Sequence, residues 1–459
     1  MNICILARKR LRFNTRVVRQ AKALVEAGNQ VTVVALELPV QELIDATPDV
    51  RYLQVELDPW PARVLRFVNR LTGLFFRLVN IFLRVITKPV NILIGVNNKI
   101  MREASGDYEK GLSKVNIYKA IPAQTVRQKI IAKIRQLLLP YMDTAKTKDF
   151  SRQIKDKLGN EKFDYCQAHD NHALHAAGIL AEASGAKLVF DSLEVSTDLA
   201  GMASDHVPDW LKTRRLEQDK NVIRAADEII CIGPALADWV AETYDVKRPE
   251  VIRNCSLYTD VKNSIEIRRD LRLEDGIRLA LVVGSIYRYQ GIEQLIESLR
   301  TLDENIHLAL LGPVTQPGYE EALHELIVHE GMEQRVHFPP VQSADNVVEY
   351  ASGADIGVIA RQAITLNNKY CLPNKIFELV MARLPVAVGR LKNIESIVKE
   401  YDIGLVFNET DPTDMALKIG ELLGDDNHAY YKSRVNEAAR ELCWERESEN
   451  YVRIFNRRN

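Results

Sequence analysis

Short apolar runs alternate along this chain with stretches in which apolar residues recur every three or four positions. Ile3–Ala7 is apolar throughout, then Val17, Val18, Ala21, Leu24 and Val25 fall on one helical face. Gly28 and Asn29 stop that helix, and Val31–Ala35 is apolar again. Runs that are apolar on both faces predict strands of a parallel sheet covered by helices on both sides. The pattern resumes with Phe163–Ala168, a helix over Asn171–Ala183, Lys187–Phe190, Glu228–Ile232 and Val251–Ile252. A second series follows: Leu279–Val283, helix Ile292–Leu302, Ile306–Leu311, helix Glu320–Glu330, Val336–Phe338, Asp355–Ile359, a helix carrying Lys375 to Met381, Val386–Val388 and Gly404–Phe407. The predicted class is therefore α/β, with two doubly wound Rossmann-like domains facing across a cleft. They span residues 1–260 and 277–435, and the polar stretch 257–276 is the candidate hinge between them. Val195 to Trp210 reads as a long loop. Residues 436–459 read as a C-terminal helix able to cross back to the first domain. A ligand is expected in the cleft, at the carboxyl ends of the strands.

One segment breaks the pattern. From Pro61 to Met101 there is no acidic residue, and Arg63, Arg70, Arg77 and Arg84 recur every seven residues among Leu, Val, Phe75 and Phe82. Seven residues are almost two helical turns, so the four arginines share a stripe. A second basic amphipathic stretch, Val126–Leu139, sets Arg127, Lys129, Lys133 and Arg135 against isoleucines and leucines. Residues 61–148 hold 17 Lys and Arg against 4 Asp and Glu, so charge is segregated into one insertion of the first domain. Two readings are open: packing on the domain or on a second subunit, and docking on an anionic membrane surface through Arg63, Arg70, Phe75, Arg77, Phe82 and Arg84.

Composition narrows the picture further. A chain of 459 residues, 46% hydrophobic and 27% charged, has enough material for two or three domains. A formal net charge of -1 gives no general ground for nucleic-acid binding. The six cysteines form no C-x-x-C pair, which argues against a zinc knuckle or a secreted disulfide framework. The N-terminus turns basic within a few residues and reads as a strand rather than a signal peptide. With no uncharged apolar run long enough to span a bilayer, the expected location is cytoplasmic, peripheral to the inner face of the membrane.

Three clusters with chemical potential fall at strand ends. Gly284, Ser285 and Arg288 follow the first strand of the second domain and suit a diphosphate. Asn367–Pro385 (NNKYCLPNKIFELVMARLP) is a polar loop opening a helix: its N-terminus with Asn374 and Lys375 suits the same diphosphate, and Glu378 suits two ribose hydroxyls. In the first domain, His169 can orient a sugar hydroxyl, with Asp170, Asp191 and Glu194 as acceptor-side candidates. His169, His172 and His175 do not share a helical face, so no metal site is read from them.

Taken in order, GNQVTVVAL, QAHDNHAL, LVFDSLEVSTD, AADEIICIG, VIRNC, GSIYRYQGIEQLIESL and LPNKIFELVMARLPVAV resemble family 4 of the retaining glycosyltransferases, which has the GT-B fold. The resemblance covers most of the chain outside 61–148. It implies transfer of a sugar from a nucleoside diphosphate donor to a hydroxyl acceptor with retention, with no cofactor and no bound metal. His169, Arg288 and Lys375 would be catalytic, and Gly284, Ser285, Arg288, Asn374, Lys375 and Glu378 would hold the donor. Combined with the basic insertion, it implies a lipid-linked or polysaccharide acceptor. Two positions depart from the pattern: Tyr370 stands where many members have a first Glu, and Gln290 where they have a phosphate-binding Lys. A variant form, NNxYxLPNKxFE, is closer. A GT-B-like scaffold subunit without activity and a nucleotide-sugar 2-epimerase are the alternatives.

Overall fold

The computed structural model describes residues 1–12, 14–57, 144–195, 209–262 and 264–457. Residues 1–56 and 150–459 form one compact unit, built on two parallel sheets. The first contains β1 (Asn2–Arg10), β2 (Gln30–Glu37), β3 (Val50–Gln54), β4 (Tyr165–His169), β5 (Lys187–Ser192), β6 (Glu228–Cys231) and β7 (Glu250–Val251), in the order β3-β2-β1-β4-β5-β6-β7. The second contains β8 (Arg278–Val283), β9 (Ile306–Leu311), β10 (Val336–His337), β11 (Ile356–Ile359), β12 (Val386–Gly389) and β13 (Gly404–Phe407), ordered β10-β9-β8-β11-β12-β13. Strand order reverses beside β1 and β4 in one sheet and beside β8 and β11 in the other. At such a point the loops leaving adjacent strands diverge and open a crevice.

The strands form where the apolar runs predicted them, because a run buried on both faces is stable only between two helical layers. Two elements depart from the sequence pattern. Strand β3 reads VRYLQ, and its exposed Arg51 and Gln54 mask the pairing with β2 that makes it the sheet edge. The stretch 257–276 is not a polar linker throughout: Glu266–Asp270 is a helix, Ile267 is buried, and Arg268 donates to Asp355 and to the Gly353 carbonyl. Its second half is therefore fixed to the second domain.

The last helix, Trp444–Phe455, leaves the second domain and buries Trp444, Tyr451, Ile454 and Phe455 among Ile3, Ile5, Val33 and Val189 of the first sheet. The Phe455 ring meets Tyr165 edge-on at 5.1 Å. Residues 58–143 lie outside the described residues, and with them the membrane-docking candidates Arg63, Arg70, Phe75, Arg77, Phe82 and Arg84; most of the 195–210 loop does too. Among the described residues no helix is long and apolar enough to cross a membrane.

Candidate functional site

A cleft of about 970 Å³ opens where the two strand-order reversals face each other. Its first-domain wall holds Lys9, Arg10, Arg12, Asn14, His169 and Glu194; its second-domain wall holds Gly284, Arg361, Asn374, Lys375 and Glu378.

On the second-domain wall, the helix Lys375–Met381 is only seven residues long and buries Ile376, Phe377, Leu379, Val380 and Met381. This packing leaves Lys375 and Glu378 as its cleft-facing polar residues. The Lys375 side chain lies across Gly284, where a Cβ would come within 2.4 Å of its Cε; the φ of +95° at Gly284 independently favours glycine. Gly284 therefore serves the approach of a cation, beyond making a turn. Burial, and secondly the nearby Arg361, lower the Lys375 pKa to about 8, partly opposed by Glu378. Burial likewise raises the Glu378 carboxyl, opposed by Lys375 and Arg19. Both groups are held partly desolvated, a state that a charged or hydroxylated ligand would relieve.

Arg361 was not singled out in the sequence. It stands two residues beyond β11, at the strand end beside the reversal, and this position was the available signal. Its guanidinium bonds to the Tyr287 hydroxyl and to Cys371 Sγ at 3.5 Å. Arg288, read as a catalytic and donor-site cation, is placed differently. It is 8% exposed, its guanidinium lies 5.1 Å from the Tyr319 ring centre, and it is absent from the cleft lining. The Tyr319 face takes up its side chain, and the cation that joins Lys375 on the second-domain wall is Arg361 instead. The Ser285 carbonyl meets Lys375 Nζ only at 3.5 Å. Gln290 is buried and lines a small pocket that also borders Arg361 and Lys375. Tyr370 does not line the cleft. It packs 6.1 Å from Trp239, with Lys392 5.2 Å from its ring, and its carbonyl accepts from Asn393 Nδ2 at 2.6 Å. Asn367 and Asn368 of the same loop do line the cleft.

The first-domain wall is built differently. His169 ends β4 fully buried, with Nε2 3.4 Å from Asn14 Nδ2 and Nδ1 3.5 Å from Asp191 Oδ2. Asp191 is not an acceptor-side group. Its oxygens accept from Arg16 Nε at 3.0 Å, Arg16 Nη2 at 2.8 Å and Gln20 Nε2 at 2.8 Å. Burial opposes its charge, but the Arg16 guanidinium prevails and holds the carboxyl well below the usual range. The chain of bonds continues from Gln167 Nε2 to Gln20 at 3.2 Å and from the Tyr451 hydroxyl to Gln167 at 2.6 Å. The last helix thus supports the residues beneath His169. Asp170 also turns away from an acceptor role: it caps the helix Asn171–Ser184 by accepting from the His172 N–H at 2.7 Å, and it pairs with Lys9. Of the acceptor-side candidates only Glu194 reaches the cleft. His172 bonds Arg8 and His175 faces Asp219, so the three histidines diverge.

Residues 263–442 match the family model for glycosyl transferases group 1. Two curated relatives are D-inositol 3-phosphate glycosyltransferases. That of Xylanimonas cellulosilytica is 23% identical over 265 residues, covering 54% of this chain and 60% of the relative. That of Corynebacterium urealyticum is 25% identical over 197 residues, covering 41% and 45%. The chain thus spans about half the length of the curated relatives it matches. Similar solved structures include sucrose-phosphate synthase from Thermosynechococcus elongatus (TM-score 0.65, 14% identity, 99% of this chain and 98% of that one). Anabaena HepE in complex with UDP and glucose is also similar (TM-score 0.63, 12% identity, 99% of each). So is WaaG, a glycosyltransferase involved in lipopolysaccharide biosynthesis (TM-score 0.58, 14% identity, 98% and 99%). The two parallel-sheet domains and these neighbours establish the GT-B fold.

Proposed function

We propose that this chain is a retaining glycosyltransferase that moves a sugar from a nucleoside diphosphate to a hydroxyl acceptor. The observation that carries the reading is the Lys375 side chain laid across Gly284, with Glu378 one turn further along the same helix. Lys375 and Arg361 face the diphosphate, and Glu378 accepts from two ribose hydroxyls. His169 orients the donor sugar from the opposite wall. As the bond from the anomeric carbon to the diphosphate oxygen breaks, negative charge grows on the leaving group. Fixed cations at that phosphate then stabilise the transition state more than the ground state. The acceptor hydroxyl forms the new bond and loses its proton to the departing diphosphate, so no cofactor or metal is required. Similarity of 263–442 to glycosyl transferases group 1 supports the reading, since that segment carries Gly284, Arg361, Lys375 and Glu378.

The acceptor side is lined by Lys9, Arg10, Arg12 and Glu194. With the basic stretch 61–148, this favours a lipid-linked or surface-polysaccharide acceptor met at the cytoplasmic face of a membrane. A nucleotide-sugar screen against a lipid-linked acceptor pool, read by mass shift, tests the activity: a hexose increment is expected, and release of free sugar alone would contradict transfer. Deleting 61–102 should abolish flotation with anionic vesicles; undiminished flotation would rule out docking through that segment. Tyr370, turned away from the cleft, favours one second reading, a scaffold subunit, which would bind no nucleotide.

A further inference from the structure

Away from the cleft, an open groove of about 520 Å³ runs between the interdomain connector and the helix Asp425–Glu441. Lys262, Arg383, Lys432 and Arg440 line it against a single carboxylate, Asp260. None of the four cations forms an ion pair among the described residues, although exposed Lys and Arg elsewhere on the surface do so repeatedly. Arg383 is the most telling. It is 8% exposed, and it donates to the Met381 carbonyl at 2.5 Å and the Thr259 carbonyl at 2.8 Å, with its guanidinium 5.2 Å from the Tyr258 ring centre. Those bonds occupy two of its five N–H donors and do not neutralise its charge. It also has a φ of +61°, just past the end of the helix Lys375–Met381, where glycine is the ordinary residue. Asp355, the carboxylate whose charge acts on Lys432, is already engaged by Arg268 and Arg278. Burial and the Arg383 charge both lower the Lys432 pKa.

We propose that this groove is a second anion site, for a phosphate-bearing ligand held between the connector and the second domain. Uncompensated cations converging in a concave site are stabilised by an anion that accepts charge-assisted hydrogen bonds from several of them. The site is separate from the cleft: it lies at the C-terminal end of the helix whose first turn carries Lys375 and Glu378. A phosphate monoester in solution and a phospholipid headgroup share the chemistry.

The test is calorimetric titration of the full chain with inorganic pyrophosphate. Two classes of site are expected, one removed by Lys375→Ala and the other weakened about tenfold or more by Lys432→Ala/Arg440→Ala, through loss of two charge-assisted bonds. Both substituted side chains reach solvent, and an unchanged circular dichroism spectrum checks the fold. If the double variant binds the same number of pyrophosphates with unchanged affinity, the proposal is overturned. Flotation with phosphatidylglycerol vesicles then identifies the source: reduced flotation of the double variant relative to the parent chain assigns a headgroup, and equal flotation with lost pyrophosphate binding assigns a soluble phosphate.

Discussion

The two walls of the cleft carry similar residues in opposite states. Behind the first-domain wall, beneath His169, Asp191 is saturated by Arg16 and Gln20, and the bonding continues through Gln167 to Tyr451 in the last helix. Across the cleft, Lys375 and Glu378 are partly desolvated with no bond between them, and burial moves both of their pKa values toward the neutral forms. A carboxylate whose partners are already in place is structural. One left short of partners beside a half-buried lysine is prepared for something absent from the chain itself.

Breaking the first wall should produce the largest effect. Asp191→Ala leaves Arg16 buried without its partner, and a loss of about 3–5 kcal/mol in unfolding free energy is expected from urea denaturation. Because the folded-state pKa of Asp191 is depressed, its contribution is present above the ordinary carboxylate range and is lost as pH falls below it. A loss below ~1 kcal/mol would mean that the network is not a support.

On the second wall the effect appears in binding rather than in folding. A phosphate prefers the charged lysine, so affinity for a nucleoside diphosphate should hold below pH about 8 and fall as pH rises through that value. Lys375→Met should weaken binding and flatten the profile. A wild-type profile without an inflection near that pH would remove Lys375 from the phosphate site. The smallest effect is expected at the rim. Arg10 meets Glu37 at 3.5 Å with its side chain 82% exposed, so Arg10→Ala should change stability by less than about 0.5 kcal/mol. A larger change in thermal unfolding would show that the rim belongs to the support network.

The contrast between the walls also explains which parts were legible in the sequence. Apolar runs located the strands, because burial on both faces leaves a composition that no loop shares. The cleft positions of Gly284, Lys375 and Glu378 were legible because Gly284 directly follows β8 and the other two open a helix after a polar loop of the same domain. Asp191 was misassigned because its partner Arg16 lies 175 residues away; a strand-end carboxylate reads the same whether it faces ligand or a distant guanidinium. Arg288 and Arg361 both follow strands and both lie over a tyrosine ring, Tyr319 at 5.1 Å and Tyr287 at 5.7 Å; only the tertiary placement of Arg361 along the cleft separates them, and no local pattern carries it. The Tyr451 bond was similarly out of reach: residues 436–459 read as a helix able to cross back to the first domain, but nothing local pairs Tyr451 with Gln167, 284 residues away.

The most direct measurement is calorimetric titration of the wild-type chain and Glu378→Ala with UDP and GDP. One of the two nucleotides should bind the wild type, and the variant should bind it roughly a hundredfold more weakly, as expected for loss of two hydroxyl bonds to a carboxylate. Equal affinity in both proteins, or no binding of either nucleotide by the wild type, would contradict a donor site built on Lys375 and Glu378.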